Sequence, residues 1–307
     1  MKSGSNLEKI LTKGLFAVTG ELDPPKGNDV NVVNRKADLL KGCVDAVNVA
    51  DNQMAIVRMS SLATSALVAH MELEPIMHMV TRDRNRIALQ SDLFSAAAMG
   101  IKNVLCMSGV HQSFGNQVDA KNVYDLDSIQ LIDCVRTLRD QGTLLGGEEK
   151  IEGKVDLFIG AVMNPFADPF EFQAARLAKK IRAGTDFIQT YPIYDIERFK
   201  EWMRMVRDRG LDKKVYLLVT LCPLGSEEMI HNIENNFPRT VVPDEIVNRI
   251  VKSGNSAIEG VRLCVDQIHE IREIEGIHGI HLINMGWTES TRRITEMSGL
   301  FPRPKIF

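Results

Sequence analysis

The chain has 307 residues, 44% of them hydrophobic and 25% charged, with a formal charge of −3 from 37 basic and 40 acidic side chains. That balance excludes a disordered chain and a disulfide scaffold, and it lacks the surplus of Lys and Arg that phosphate-backbone binding needs, so no nucleic-acid partner is expected. Five scattered cysteines (Cys43, Cys106, Cys134, Cys222, Cys264) without a CxxC pair fit a reduced, cytoplasmic compartment. The N-terminus carries no secretion signal, and no apolar run reaches the ~18 residues of a membrane span.

From the N-terminus, residues 15–22 (LFAVTGEL) predict a first strand, and 29–43 places Val30, Val33, Ala37 and Leu40 on one helical stripe. Strands follow at 46–50, 75–81 and 103–108. After a polar connection at 109–124, a helix is predicted over 127–139 with Ile129, Ile132, Val135 and Leu138 on its apolar face. Strand 157–164 leads to helix 169–183, opened by Pro169 and stopped by Gly184. Strand 186–191, helix 196–209 and strand 215–221 come next; a long connection at 235–254 carries its own helix at 244–251. Helix 256–275 and strand 279–285 complete the order. Near-continuous apolar strands suit a parallel sheet covered on its outside. Eight such strands with helical segments between them give an α/β chain in the order of a (β/α)8 TIM barrel, a single domain over 1–307. A doubly wound open sheet is the alternative, since local pattern leaves open whether the first and last strands meet.

In a barrel, the C-terminal ends of the strands face the ligand. Those ends bring Glu21 and Asp23; Asn48, Asp51 and Asn52; His78, Arg82 and Asp83; Ser108 and His111; Asn164; Gln189 and Tyr191; Thr220; and Asn284. Glu21 is the sharpest, because Asp23-Pro24-Pro25 locks the chain directly after it. A carboxyl in an apolar cleft is held protonated toward neutral pH and can donate a proton; the alternative is a carboxylate that caps a loop or pairs with Arg. His78 either contacts a planar ligand or is a satisfied barrel histidine. The cations of Arg82-Asp83-Arg84-Asn85-Arg86 suit either phosphate contacts or a solvated helix start. Lys179 and Lys180 suit the negative end of their helix. GxGxxG, GxxxxGK[ST] and GxSxG are absent, and His231, His269, His278 and His281 show no metal spacing, so no metal is expected.

AVTGELDPPKG at 17–27 resembles the first-strand motif of the methylenetetrahydrofolate reductase family. The likeness continues through DAVNVADNQ at 45–53, RDRNRIALQSDLFSAAAMGIKNVLCMSG at 82–109, and HQSFGNQ with VYDLDS at 111–128. It runs on through IGAVMNPFADPFEF at 159–172, KKIRAGTDFIQT at 179–190 and EIEGIHGIHLI at 273–283, and is nearest to the short form of anaerobic and acetogenic bacteria. The resemblance implies a barrel that binds a flavin, FAD in preference to FMN, and reduces 5,10-methylenetetrahydrofolate to 5-methyltetrahydrofolate. It makes Glu21 the acid that protonates N10, with Asn48, Gln189, Tyr191 and Asn284 beside the folate. Asp51, Gln53, His78, Ser108, Gly109, Asn164, Arg176, Lys179 and Lys180 fall on its flavin side.

Four positions depart from the family: Ala50 and Val80 replace Thr, Val110 replaces the Asp that contacts the pterin, and Tyr191 replaces Gln. Losing that Asp removes a charged acceptor worth about 1.5–3 kcal/mol when buried. These departures put the flavin in doubt and set a second expectation beside reduction. In it, the barrel binds tetrahydrofolate and transfers a methyl group, for example to or from a corrinoid protein, without flavin or hydride transfer. A non-catalytic scaffold in a one-carbon complex is the third. The expected partners are a tetrahydrofolate derivative and an electron-donor or corrinoid subunit, in a homo- or hetero-oligomer.

Overall fold

The computed structural model describes residues 1–237 and 239–306. Its eight strands are β1 (Ala17–Leu22), β2 (Ala46–Val49), β3 (Pro75–Val80), β4 (Asn103–Met107), β5 (Phe158–Met163), β6 (Phe187–Pro192), β7 (Tyr216–Leu221) and β8 (Gly279–Leu282). All neighbours pair in parallel, and β8 pairs with β1, so the barrel closes. That closure decides against the open sheet. The last strand stops at Leu282, short of the predicted 285, and Met285 turns out of the sheet with φ of 48°. The helix expected from Pro169 begins later: Phe170–Phe172 form a 3-10 turn ahead of Gln173–Ala183.

Side chains of a strand alternate between faces, and the inward set stacks in layers. The lowest layer is apolar: Ala17, Ala46, Ile76, Leu105, Phe158, Phe187 and Leu218 pack against Leu7, Ile10 and Leu11 of the helix Asn6–Thr12, which plugs the barrel floor. Phe158 and Phe187 stack at 5.2 Å, and Gly160 leaves room for that ring, since a Cβ there would lie 2.3 Å from it. Outward-facing strand residues such as Val18, Val47, Met77 and Val219 join the inner faces of the helices in the large second core.

Carboxylates at the strand starts hold the floor together. Asp45 accepts from Val18 N at 2.7 Å and from the Arg303 guanidinium at 3.0 and 2.8 Å. Glu74 accepts from Leu7 N at 2.9 Å and from Asn103 Nδ2 at 3.0 Å, which ties the plug helix to β3 and β4. Asp186 is bridged by Arg139 at 2.6 Å and by Lys2.

Candidate active site

Above the apolar plug, the inward positions become polar. Asn48 Nδ2 donates to Gln189 Oε1 at 2.6 Å and to His78 Nε2 at 2.8 Å. Gln189 Nε2 donates to Asn48 Oδ1 and to Thr19 Oγ1, both at 3.1 Å, and Thr19 Oγ1 stands 3.0 Å from His281 Nδ1. The Thr19 hydroxyl also donates to Ile280 O at 3.4 Å, and His281 Nε2 lies 3.8 Å from Glu21 Oε2. Because the Asn48 amide donates to His78 Nε2, the His78 proton sits on Nδ1. A continuous polar layer therefore runs across the barrel from His78 on β3 to Glu21 on β1.

Burial pushes both histidines down to about 3, from an ordinary 6.5. A histidine depressed in this way takes up its proton first in the unfolded chain. Its contribution to stability is complete above pH 6.5 and is lost as the pH falls from there toward 3. Each is expected to withdraw about 2 kcal/mol between about pH 7.5 and 5. His281→Gln should therefore lose about 2 kcal/mol less than the parent on that acidification, read from urea unfolding at the two pH values. An equal loss would show that His281 is not held neutral in the fold.

A cavity of about 470 Å³ opens over this layer. Glu21 and Asp23 form one edge, Val80, Leu105, Met107 and Val162 an apolar wall, and Tyr191 with Phe237 a corner at the rim. The Tyr191 and Phe237 rings meet edge to face at 5.5 Å. Glu21 is buried, and desolvation raises its carboxyl above the ordinary range against the opposing pull of Asp23, Lys36 and Arg58. This is the setting in which a carboxylic acid keeps its proton near neutrality.

The loops after β2 and β4 form the remaining wall. Asn52, Met54 and Ala55 all have positive φ (44°, 54° and 58°), a strained run for side chains other than Gly. Gly115 packs on this run so closely that a Cβ would lie 1.9 Å from Ala55 O, and Asn116 Oδ1 accepts from Val57 N at 3.1 Å. Arg82 adds donations to Asn52 O and Val110 O, at 3.3 and 3.1 Å. Strain concentrated beside a cavity is a mark of a ligand site.

Of the residues expected from sequence, Glu21, Asp51, Gln53, His78, Gly109, Gln189 and Tyr191 line the cavity. Asp51 does so with its carboxylate engaged, by Arg84 at 2.7 Å and Val80 N at 2.9 Å. Asn48 lies beneath, in the polar layer, and Asn284 steadies the acid's strand by donating to Glu21 O at 2.8 Å. Ser108 accepts from Ser128 N at 3.2 Å, and Asn164 from Phe166 N at 2.9 Å. Arg176 and Lys179 are exposed, and Lys179 borders a separate groove with Arg182 between the helices Ser128–Asp140 and Gln173–Ala183. Lys180 is half-buried outside the cavity lining. His281, which the sequence left without a site role, lines the cavity beside Glu21. Thr19, Arg58, Phe114 and Met285 also went unassigned. Only the period-two alternation from Glu21 could have pointed to Thr19.

A closed parallel barrel with a buried acid at its C-terminal mouth defines an enzyme-like ligand-binding barrel. The chain belongs to the methylenetetrahydrofolate reductase family, whose model matches residues 6–299. It is similar to a probable methylenetetrahydrofolate reductase (NADPH) from Caenorhabditis elegans, 21% identical over 246 residues that cover 79% of this chain. The match takes in 35% of that longer protein. Among solved structures, an uncharacterized protein from Clostridium thermocellum that binds two copies of 5-methyl-5,6,7,8-tetrahydrofolic acid superposes with a TM-score of 0.66. The two are 13% identical, with 96% of this chain and all (100%) of that one covered. Oxaloacetate acetylhydrolase shares the fold at a TM-score of 0.52 and 11% identity, over 96% and 85% of the two chains.

The residues present fit the ring system of a flavin at one place, where Val80, Leu105, Met107 and Val162 form an apolar wall of the cavity that the neutral His78 also lines. Lys180, whose pKa burial lowers, lies outside that lining, and Arg82 and Arg84 are engaged by Asp83, Asp51 and Asp92.

Proposed function

We propose that this chain acts on the one-carbon unit of a reduced folate, reducing 5,10-methylenetetrahydrofolate to 5-methyltetrahydrofolate. The observation that carries the reading is the buried Glu21 on the edge of the cavity, its carboxyl pushed up by desolvation, in a chain of this family. The folate bound by the Clostridium thermocellum protein of the same fold supports it.

The pterin would lie in the cavity with N10 against Glu21. Proton transfer from Glu21 to N10 makes that nitrogen a neutral leaving group, the five-membered ring opens, and the one-carbon unit becomes an iminium at N5 ready for hydride. His281, whose Nε2 lies 3.8 Å from Glu21 Oε2, is the nearest ring to the carboxylate left behind. A bound flavin, held by the apolar wall and His78, would supply the hydride. Tyr191 and Phe237 keep water from the iminium at the rim.

A second reading, methyl transfer on tetrahydrofolate without flavin, is favoured by Val110 and Tyr191. They put an apolar and an aromatic side chain into the cavity lining where the family carries polar ones. In it, Glu21 would protonate the pterin nitrogen that gives up the methyl group. The visible absorption spectrum, as purified and after soaking with FAD or FMN, separates the two when combined with 5-methyltetrahydrofolate binding. Flavin bands bleached by a reductant and restored by 5,10-methylenetetrahydrofolate are the expected result. A colourless protein that takes up no flavin yet binds the folate establishes the second reading, and failure to bind folate overturns both.

A further inference from the structure

We infer that Lys36 and Arg58 form an anion subsite at the cavity mouth, one that holds a carboxylate on the glutamate tail of the folate and makes that tail a determinant of affinity. The inference deepens the folate reading and rests on it for the identity of the ligand. It holds for reduction and for methyl transfer alike.

The subsite follows from the turn after β1. Asp23 and Pro24 each precede a proline, which biases both to extended backbone. At about 3.3 Å per residue, Pro24 therefore stands within roughly 10 Å of Glu21, on the mouth side of the acid. Two cations from different elements close on this turn. Lys36, on the helix Val30–Leu40, donates from Nζ to Asp23 O at 3.0 Å, and Arg58, after β2, donates from Nη1 to Pro24 O at 2.8 Å. Arg58 lines the cavity, and its backbone N is fixed by Asn52 Oδ1 at 3.0 Å. The accepting carbonyls belong to consecutive residues, so the two charged heads flank one short stretch of chain.

Both cations have bonding capacity left over. A lysine ammonium carries three hydrogens, and the Asp23 carbonyl takes one. Of the Arg58 guanidinium, Nη2 makes no hydrogen bond and Nε is buried without a partner among the described residues. The acids that act on the two cations are Glu21 and Asp23, and among the described residues neither stands within ion-pair distance of them. Burial and the charge of Glu21 push Asp23 up to about 7, so near neutrality the cations are incompletely balanced. The arginines after β3, by contrast, are engaged by Asp83, Asp51 and Asp92. Lys26, exposed just after the turn, extends the positive edge into solvent.

The ligand class follows from reach. With N10 against Glu21, the p-aminobenzoyl ring and its amide run outward along this edge, and the next groups beyond them are the glutamate carboxylates. A guanidinium offering Nη2 with an ammonium close by suits a carboxylate, whose two oxygens can accept from both.

Calorimetric titration of the full chain with 5-methyltetrahydrofolate and with its diamide, in which both glutamate carboxylates are neutral, tests the subsite. The parent should bind the folate about tenfold or more tightly than the diamide. Arg58→Gln should bring the two affinities within about threefold by weakening the folate and leaving the diamide unchanged, and Arg58→Lys should restore part of the gap. Lys36→Met should narrow the gap in part. A parent that binds both compounds equally overturns the subsite. So does an Arg58→Gln that weakens both alike, because loss of the bond to Pro24 O would act on the whole ligand and not on its charge. Should neither compound bind, the folate reading fails and the subsite is judged on p-aminobenzoylglutamate alone. A rise in the Tm of the parent that Arg58→Gln abolishes then retains it, and no rise overturns it.

Discussion

Glu21→Gln is expected to lower folate turnover by about 10²–10⁴-fold, the usual worth of a positioned general acid. Glutamine keeps the shape and hydrogen-bonding reach of the side chain, so folate affinity should stay within about threefold, and the loss should appear in kcat rather than KM. The size of the effect follows from position. Glu21 is buried on the cavity edge, its strand is held by Asn284, and among the described residues the only other carboxyls at that cavity are Asp23, its neighbour, and Asp51, which is tied to Arg84. Steady-state kinetics on 5,10-methylenetetrahydrofolate, or on 5-methyltetrahydrofolate with an artificial acceptor, measures it. Turnover within about twofold of the parent would remove the acid role altogether.

Arg303→Ala is expected to destabilise the chain by about 3–5 kcal/mol, because it leaves a buried charge without its partner. Asp45 is fully buried at the start of β2, and Arg303 meets both its oxygens while also donating to Phe16 O and Leu300 O. Desolvation already raises the Asp45 carboxyl despite that guanidinium, so its loss leaves the carboxylate facing the apolar floor. A fall in Tm of about 5–10 °C in scanning calorimetry is the expected reading. Pairing Asp45→Asn with Arg303→Leu should recover part of it, since no unpaired charge remains. A single variant as stable as the parent would show that the tail is not a clasp.

Each strand core was legible because parallel strands packed on both faces are apolar throughout, a pattern that survives without any knowledge of neighbours. Ends were less legible. At β8 the run GIHLINM continues in sequence, yet Met285 adopts a positive φ and leaves the sheet, which depends on the loop that follows rather than on hydrophobicity. The helix at Gln173–Ala183 starts four residues late for a similar reason: Pro169 satisfies the first-turn rule, but the 3-10 turn Phe170–Phe172 intervenes.

The candidate site divides along the same line. Glu21 could be read from its place before two prolines, and His78, Gln189 and Tyr191 from their places on strands. Gln189 and Asn48 nevertheless turn out to bond to each other across the barrel, and Asp51 to Arg84, so their polar atoms are partly used by the fold. His281 lies 260 residues from Glu21 in sequence and 3.8 Å from it in space. No local pattern carries that proximity.

By itself, then, the order of apolar runs and turns determined a barrel-type chain, and the place of Glu21 before Asp23-Pro24-Pro25 marked it as a candidate acid. Closure of β8 on β1, the polar layer linking His78 to Glu21, and the clasp of Gly115 on Ala55 were decided only in three dimensions. The physical reason is range. Strand and helix propensities act over a few residues, whereas hydrogen bonds between strands and the desolvation of a carboxyl depend on groups that the chain brings together only when the ring of strands closes.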